Sequence, residues 1–128
     1  MEDHLVFVYG TLRKNEANSH YLHQAECIEE NCKLEGQLYD TGHGYPALFQ
    51  EKGDNPVIGE VYKVTTEQLK QLDRLEGYEE GCQNNLYEKL TCRVKTQQGE
   101  RDCIVYVMNK KMKHFKRISD NDWIKYRT

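Results

Sequence analysis

Glu76 is the residue whose placement most invites chemistry. Leucines at 69, 72 and 75 recur at helical spacing in the segment that starts at Thr66, which makes one face of that helix apolar. With Leu69 at zero on a wheel of about 100° per residue, Leu72 falls near ~300°, Leu75 near ~240° and Glu76 near ~340°. A carboxyl thus stands inside the stripe meant for the core, while Lys70 and Arg74 point elsewhere. It also stands at the C-terminal end of the helix, ahead of Gly77, where the macrodipole disfavours negative charge. Burial disfavours the anion too, and both effects raise the pKa toward the range useful for general acid/base work. Position alone equally allows a frayed last turn, with Glu76 bent to solvent or paired with a lysine. Asp73 lies at the edge of the same stripe.

A second candidate is the junction at Tyr9-Gly10-Thr11-Leu12. The apolar run from Leu5 to Tyr9 reads as a buried strand, and Gly10 ends it. A strand that breaks at glycine leaves successive N–H groups without ladder partners. Such groups can form a concave donor site for an anion or a developing oxyanion, and a missing Cβ lets a ligand come close. An ordinary strand end is the other reading, and the G-x-x-x-x-G-K-[ST] frame of a P-loop is missing. His20 and His23 have a metal-compatible spacing, but no third ligand accompanies them, so no metal site is expected. There is no G-x-S-x-G element and no frame for a Cys/His nucleophile.

Several elements must position these residues. Asn18 or Ser19 is placed to cap a short helix through Gln24, and residues 33–39 alternate as a strand. A glycine-rich turn covers residues 40–46, followed by a short strand at 47–49. A turn at 53–56 leads into a strand at 57–64. Thr65 and Gln68 have capping-box spacing before the leucine-striped helix, and Gly77 stops it. Residues 81–85 read as loop. Residues 86–96 and 101–108 read as two strands joined by a hairpin at 97–100, and Trp123, Ile124 and Tyr126 suggest a tail that packs back. This order implies an α+β fold, a small and mostly antiparallel β-barrel with flanking helices, in which closure protects the strand edges.

The chain has 128 residues, 38% hydrophobic and 30% charged, with a net charge of −3. One domain over residues 1–128 is expected, large enough to fold without a disulfide or metal. The acidic start at Met1-Glu2-Asp3 and the lack of a long apolar run point to a cytoplasmic protein rather than a secreted or membrane-spanning one. Five scattered cysteines without a C-x-x-C pair fit free thiols in a reducing compartment. From Lys110 onward there are seven Lys/Arg against two Asp. These bases do not alternate with aromatic stacking residues as a nucleic-acid motif would, so neither nucleic acid nor membrane is expected as a partner.

Together the pieces resemble the gamma-glutamylcyclotransferase-like family, which includes gamma-glutamylamine cyclotransferases. The resemblance runs from Phe7-Val8-Tyr9-Gly10-Thr11-Leu12-Arg13 through Gly36-Gln37-Leu38-Tyr39-Asp40 and Tyr45-Pro46-Ala47-Leu48. It continues through Val57-Ile58-Gly59-Glu60-Val61-Tyr62 and Leu72-Asp73-Arg74-Leu75-Glu76-Gly77-Tyr78 to Tyr87 and Asp122-Trp123. It implies intramolecular aminolysis of a small γ-glutamyl compound. The α-amine attacks the γ-glutamyl carbonyl, releasing an amine or amino acid and 5-oxoproline without a cofactor. It also implies Glu76 as the catalytic acid/base, with Tyr9, Gly10, Thr11, Leu12 and Tyr87 around the substrate. The chain departs from the family pattern in three places. Glu88-Lys89 stands where an arginine often follows Tyr87, the 79–85 loop lacks a proline, and Asp120-Asn121-Asp122 stands where a Gly-Asp pair is commoner. These departures point to the leaving-group side of the site. The alternative is a non-catalytic module that binds a small carboxylated ligand on the same fold. Arg13 is open between pairing with a carboxylate and covering the sheet.

Overall fold

The computed structural model describes residues 3–79, 87–108 and 110–127. Five strands close a mixed barrel in the order β1 (Asp3–Val8), β5 (Val57–Thr65), β2 (Glu26–Leu34), β6 (Tyr87–Thr96) and β7 (Gly99–Met108). The β1–β5, β5–β2, β2–β6 and β6–β7 pairs are antiparallel. The barrel closes through a parallel β1–β7 contact at Val6 and Ile104. A second sheet holds β4 (Pro46–Phe49), β3 (Gln37–Asp40) and β8 (Lys116–Arg117) in that order. A 3-10 turn at Ser19–Leu22 and helices α1 (Thr66–Leu75) and α2 (Trp123–Arg127) complete the fold. No helix among the described residues is long and apolar enough to cross a membrane.

The two-residue period of a strand sends alternate side chains to opposite faces, and β1 over residues 5–8 and β7 over residues 103–108 are apolar on both. Phe7 and Tyr9 join one core with Val61, Val94, Val105 and Val107. Val6 and Val8 join a second core on the opposite face, with Tyr62, Leu69, Leu72, Tyr87 and Tyr106. Alternation thus fills two cores from the same strands, and the second is the one α1 covers.

Helix α1 begins as its sequence predicts. The Gln68 N–H donates to Thr65 Oγ1 at 3.1 Å, and the Thr65 N–H donates to Gln68 Oε1 at 2.8 Å, a reciprocal capping box. Two expectations are revised. Residues 33–39 are not one strand, because Glu35 and Gly36 separate β2 from β3. Most of β2 had no sequence signal: its register shifts between Cys27 and Glu29 and again between Glu29 and Cys32, with Asn31 at φ 58°. Bulges destroy the alternation by which a strand is recognised. The expected helix through Gln24 is only the four-residue 3-10 turn, and the 81–86 segment, with the expected loop at 81–85, lies outside the described residues.

The tail does pack back, through Asn121. This fully buried residue sits at φ 53°. Its Oδ1 accepts from the Leu38 N–H at 2.8 Å and from Gln37 Nε2 at 2.9 Å, while its Nδ2 donates to the carbonyls of Gly36 and Asn55. Asparagine tolerates the left-handed region better than most residues, and here its amide also joins three segments. The tail departure is therefore structural, and Asn121 does not line the cavity described next.

Candidate active site

The end of α1 is built to hold Glu76 still. Glu76 is the helix C-cap, and its N–H donates to the Leu72 carbonyl at 3.0 Å. Gly77 follows at φ 68°, the left-handed region that glycine enters without a Cβ penalty. The Gly77 N–H then reaches Arg74 O at 3.1 Å and the Tyr78 N–H reaches Asp73 O at 2.7 Å. This pair of bonds is a Schellman closure, so the last turn is not frayed.

Glu76 faces a cavity of about 520 Å³. The cavity is walled by residues 7–12, by residues 43–46 of the glycine-rich turn, by residues 74–77, and by Tyr87 and Tyr106 of the β6–β7 hairpin. The residue is half-buried, with its open side on this cavity. Burial pushes its carboxyl up to about 7, near the pH at which a group can both take and return a proton. The five other site residues expected from sequence, Tyr9, Gly10, Thr11, Leu12 and Tyr87, all line the same cavity.

The loop is arranged differently from a simple glycine gap. A Cβ on Gly10 would lie 2.7 Å from Pro46 Cγ and 2.8 Å from its Cδ. The missing side chain therefore admits Pro46, and with it the 43–46 turn, rather than a ligand. The Arg13 N–H donates to Gly10 O at 3.0 Å, and the Asn18 N–H and Nδ2 tie Thr11 through its carbonyl and hydroxyl. Among the described residues, the N–H groups of Thr11 and Leu12 have no backbone acceptor. Arg13 is not on the cavity wall. It is buried against Glu60, with Nε 2.5 Å from Oε2, and its Nη1 lies 3.0 Å from Asp122 Oδ1. It clamps the loop to β5 and to the start of α2.

Three tyrosines surround the carboxyl. Tyr9 donates to Tyr106 O at 2.6 Å, Tyr87 to Pro46 O at 3.4 Å, and Tyr106 to Asp73 Oδ1 at 2.5 Å. Burial raises all three phenols above their usual range, helped at Tyr106 by the hydrogen bond to Asp73 and its charge and, to a smaller extent in all three, by the Glu76 charge, so each stays a neutral hydroxyl. Lys89 pairs with Asp73 at 3.0 Å and lies over the Tyr78 ring. Tyr106 and the 43–46 turn were not assigned to the site from sequence. The one available signal was a hydroxyl-tipped ring between Val105 and Val107, facing away from the core those valines share. Among the described residues no group of His, Cys, Asp and Glu is placed to hold a metal ion.

A family profile described as gamma-glutamyl cyclotransferase, AIG2-like, matches residues 6–125. The chain belongs to this family. It is 39% identical over 123 residues to the gamma-L-glutamyl-butirosin B gamma-glutamyl cyclotransferase of Niallia circulans, covering 95% of this chain and 76% of that one. The crystal structure of YkqA from Bacillus subtilis superposes with a TM-score of 0.79 at 34% identity, over 98% of this chain but only 41% of YkqA. A mouse AIG2-like protein shares the fold at a TM-score of 0.78 and 20% identity, covering 96% of this chain and 89% of that one. The family barrel is thus the one seen here, five strands with two helices.

Proposed function

We propose that the protein is a γ-glutamyl cyclotransferase that releases 5-oxoproline from a free γ-glutamyl amine or γ-glutamyl amino acid. The observation that carries this reading is a carboxyl held near 7 by burial on a cavity that also holds the loop at 9–12. The α-ammonium of the substrate must lose a proton before it attacks, and the leaving nitrogen must gain one. Glu76 does both in turn. The α-nitrogen forms a bond to the γ-carbonyl carbon, the bond from that carbon to the leaving nitrogen breaks, and the proton passes through Glu76, so no water is consumed. Ring closure is intramolecular, which leaves the cavity chiefly the task of folding the substrate into a near-attack shape. The N–H groups of Thr11 and Leu12 are the donors available to a substrate oxygen. Tyr9 and Tyr87 shape the wall, and residues 1–128 act as one domain of this type.

The test is a mass-spectrometric screen of γ-glutamyl amines, amino acids and peptides for 5-oxoproline. Release is expected from at least one class and lost in Glu76→Gln, with the circular dichroism unchanged. Full turnover by Glu76→Gln removes the assignment of Glu76, and silence across the panel removes the cyclotransferase reading.

A further inference from the structure

Each of the three tyrosine hydroxyls around Glu76 has an acceptor within the protein, at 2.6 Å for Tyr9, 3.4 Å for Tyr87 and 2.5 Å for Tyr106. Tyr9 gives its proton to the Tyr106 carbonyl and Tyr87 to the Pro46 carbonyl. The most constrained is Tyr106, whose hydroxyl lies 2.5 Å from Asp73 Oδ1. A carboxylate can only accept, so the phenol must be the donor. Lys89 holds the same carboxylate, at 3.3 Å from Oδ1 and 3.0 Å from Oδ2. Lys89 and Tyr106 are direct partners across the β6–β7 ladder, and Asp73 precedes Glu76 by one helical turn, on a neighbouring part of the same face. The network thus fixes both the position of the Tyr106 ring and the direction of its proton. A phenol that donates one way keeps its lone pairs for the other, and Tyr106 lines the cavity that Glu76 faces.

We propose that Tyr106 is a substrate-binding residue whose phenol oxygen accepts a hydrogen bond from the α-ammonium, and that Asp73 and Lys89 are positioning residues that orient it. This rests on the cyclotransferase reading. An ammonium has three N–H donors, so one can face Glu76 while another is held by Tyr106, which keeps the nitrogen in place when its proton leaves. Tyr106 then serves the cationic end of the substrate, and the donors at Thr11 and Leu12 serve its oxygens.

The experiment compares a γ-glutamyl amide that the wild type turns over, γ-glutamyl-ethylamide as first choice, with N-ethylglutaramate, the same amide without its α-amine. Tyr106→Phe deletes the acceptor and leaves Asp73 paired with Lys89. It is expected to lower kcat/KM about tenfold or more, the usual effect of losing a hydrogen bond to a charged group, while the Kd of N-ethylglutaramate moves less than twofold. Asp73→Asn is expected to give the same selective loss, because its amide can donate to the phenol and turn the phenol's proton toward the cavity. Equal weakening of both ligands in Tyr106→Phe would show that the hydroxyl only shapes the wall, and an unchanged kcat/KM would show that it does not meet the ammonium; either overturns the inference and leaves the function standing. If no γ-glutamyl compound yields 5-oxoproline in the wild type, the function fails and this inference fails with it.

Discussion

The Tyr78 amide donates to the Asp73 carbonyl at 2.7 Å, closing the end of α1 around Glu76. The closure depends on Gly77 at φ 68°, where a Cβ would meet nothing within 4 Å. Gly77→Ala therefore adds no clash, only the cost of a left-handed alanine, about 1–2 kcal/mol. Urea denaturation should show a loss of that size. Turnover should fall by more than the unfolded fraction explains, because relieving the strain would shift the Glu76 backbone. A stability loss with kcat/KM unchanged would separate the turn from the site.

The Glu76 carboxyl, raised by burial to about 7, links activity and stability to pH in opposite directions. As a base toward the α-ammonium it works ionised, so kcat/KM should rise through about pH 7. In the unfolded chain the group titrates in the ordinary glutamate range, so between the two values the native state holds more protons. The stabilisation is fully present below the unfolded value and is lost as pH rises through about 7. Discounted for the open side on the cavity, the loss is on the order of 1–3 kcal/mol. Thermal melts from pH 5 to 8 should show it in the wild type and not in Glu76→Gln. Parallel curves for the two proteins would mean that the carboxyl is not desolvated.

Gly10 and Pro46 form a contact that tolerates no added atom, with 2.7 Å between the position of a Cβ and Pro46 Cγ. Gly10→Ala should cost about 1–3 kcal/mol, as overpacking does, and lower turnover by displacing the loop or the 43–46 turn. Pro46→Ala removes the Cγ and Cδ atoms it meets, so the double variant should regain much of the loss in a double-mutant cycle. Additive losses would place the strain elsewhere.

Local signals in the sequence position the end of α1. The Thr65/Gln68 box, the leucine stripe and Gly77 each depend on a few neighbouring residues, and together they put Glu76 at the close of the helix on its inward face, where it lines the cavity. The 97–100 hairpin likewise gave the β6–β7 pair. The parts that escaped depend on distant partners. The bulged strand β2 takes its form from β5 rather than from its own alternation, and Asn121 satisfies groups in two segments far from it in sequence, residues 36–38 and Asn55. Tyr106 lines the cavity with its hydroxyl on Asp73 of α1, a pairing of residues 33 positions apart that no local pattern reveals. Gly10 was singled out, but its reason lies in Pro46, which no pattern around residue 10 reveals.

Arg13 and Glu60 are both buried, at 6% and 3% exposure, and joined at 2.5 Å, with the Lys14 N–H adding a third bond at 3.0 Å. A buried pair contributes less than its geometry suggests, because both ions lost their hydration, but losing one partner strands the other. Arg13→Met should therefore destabilise by about 3–5 kcal/mol and loosen the loop at 9–12 that Arg13 holds against β5. Arg13→Met with Glu60→Leu removes both charges and should be more stable than Arg13→Met alone, although the loop remains unclamped. Denaturation midpoints measure the first effect and kcat/KM the second. The double variant should recover stability without recovering turnover. Recovery of both would mean that the clamp supplies stability only and that the loop keeps its shape without it.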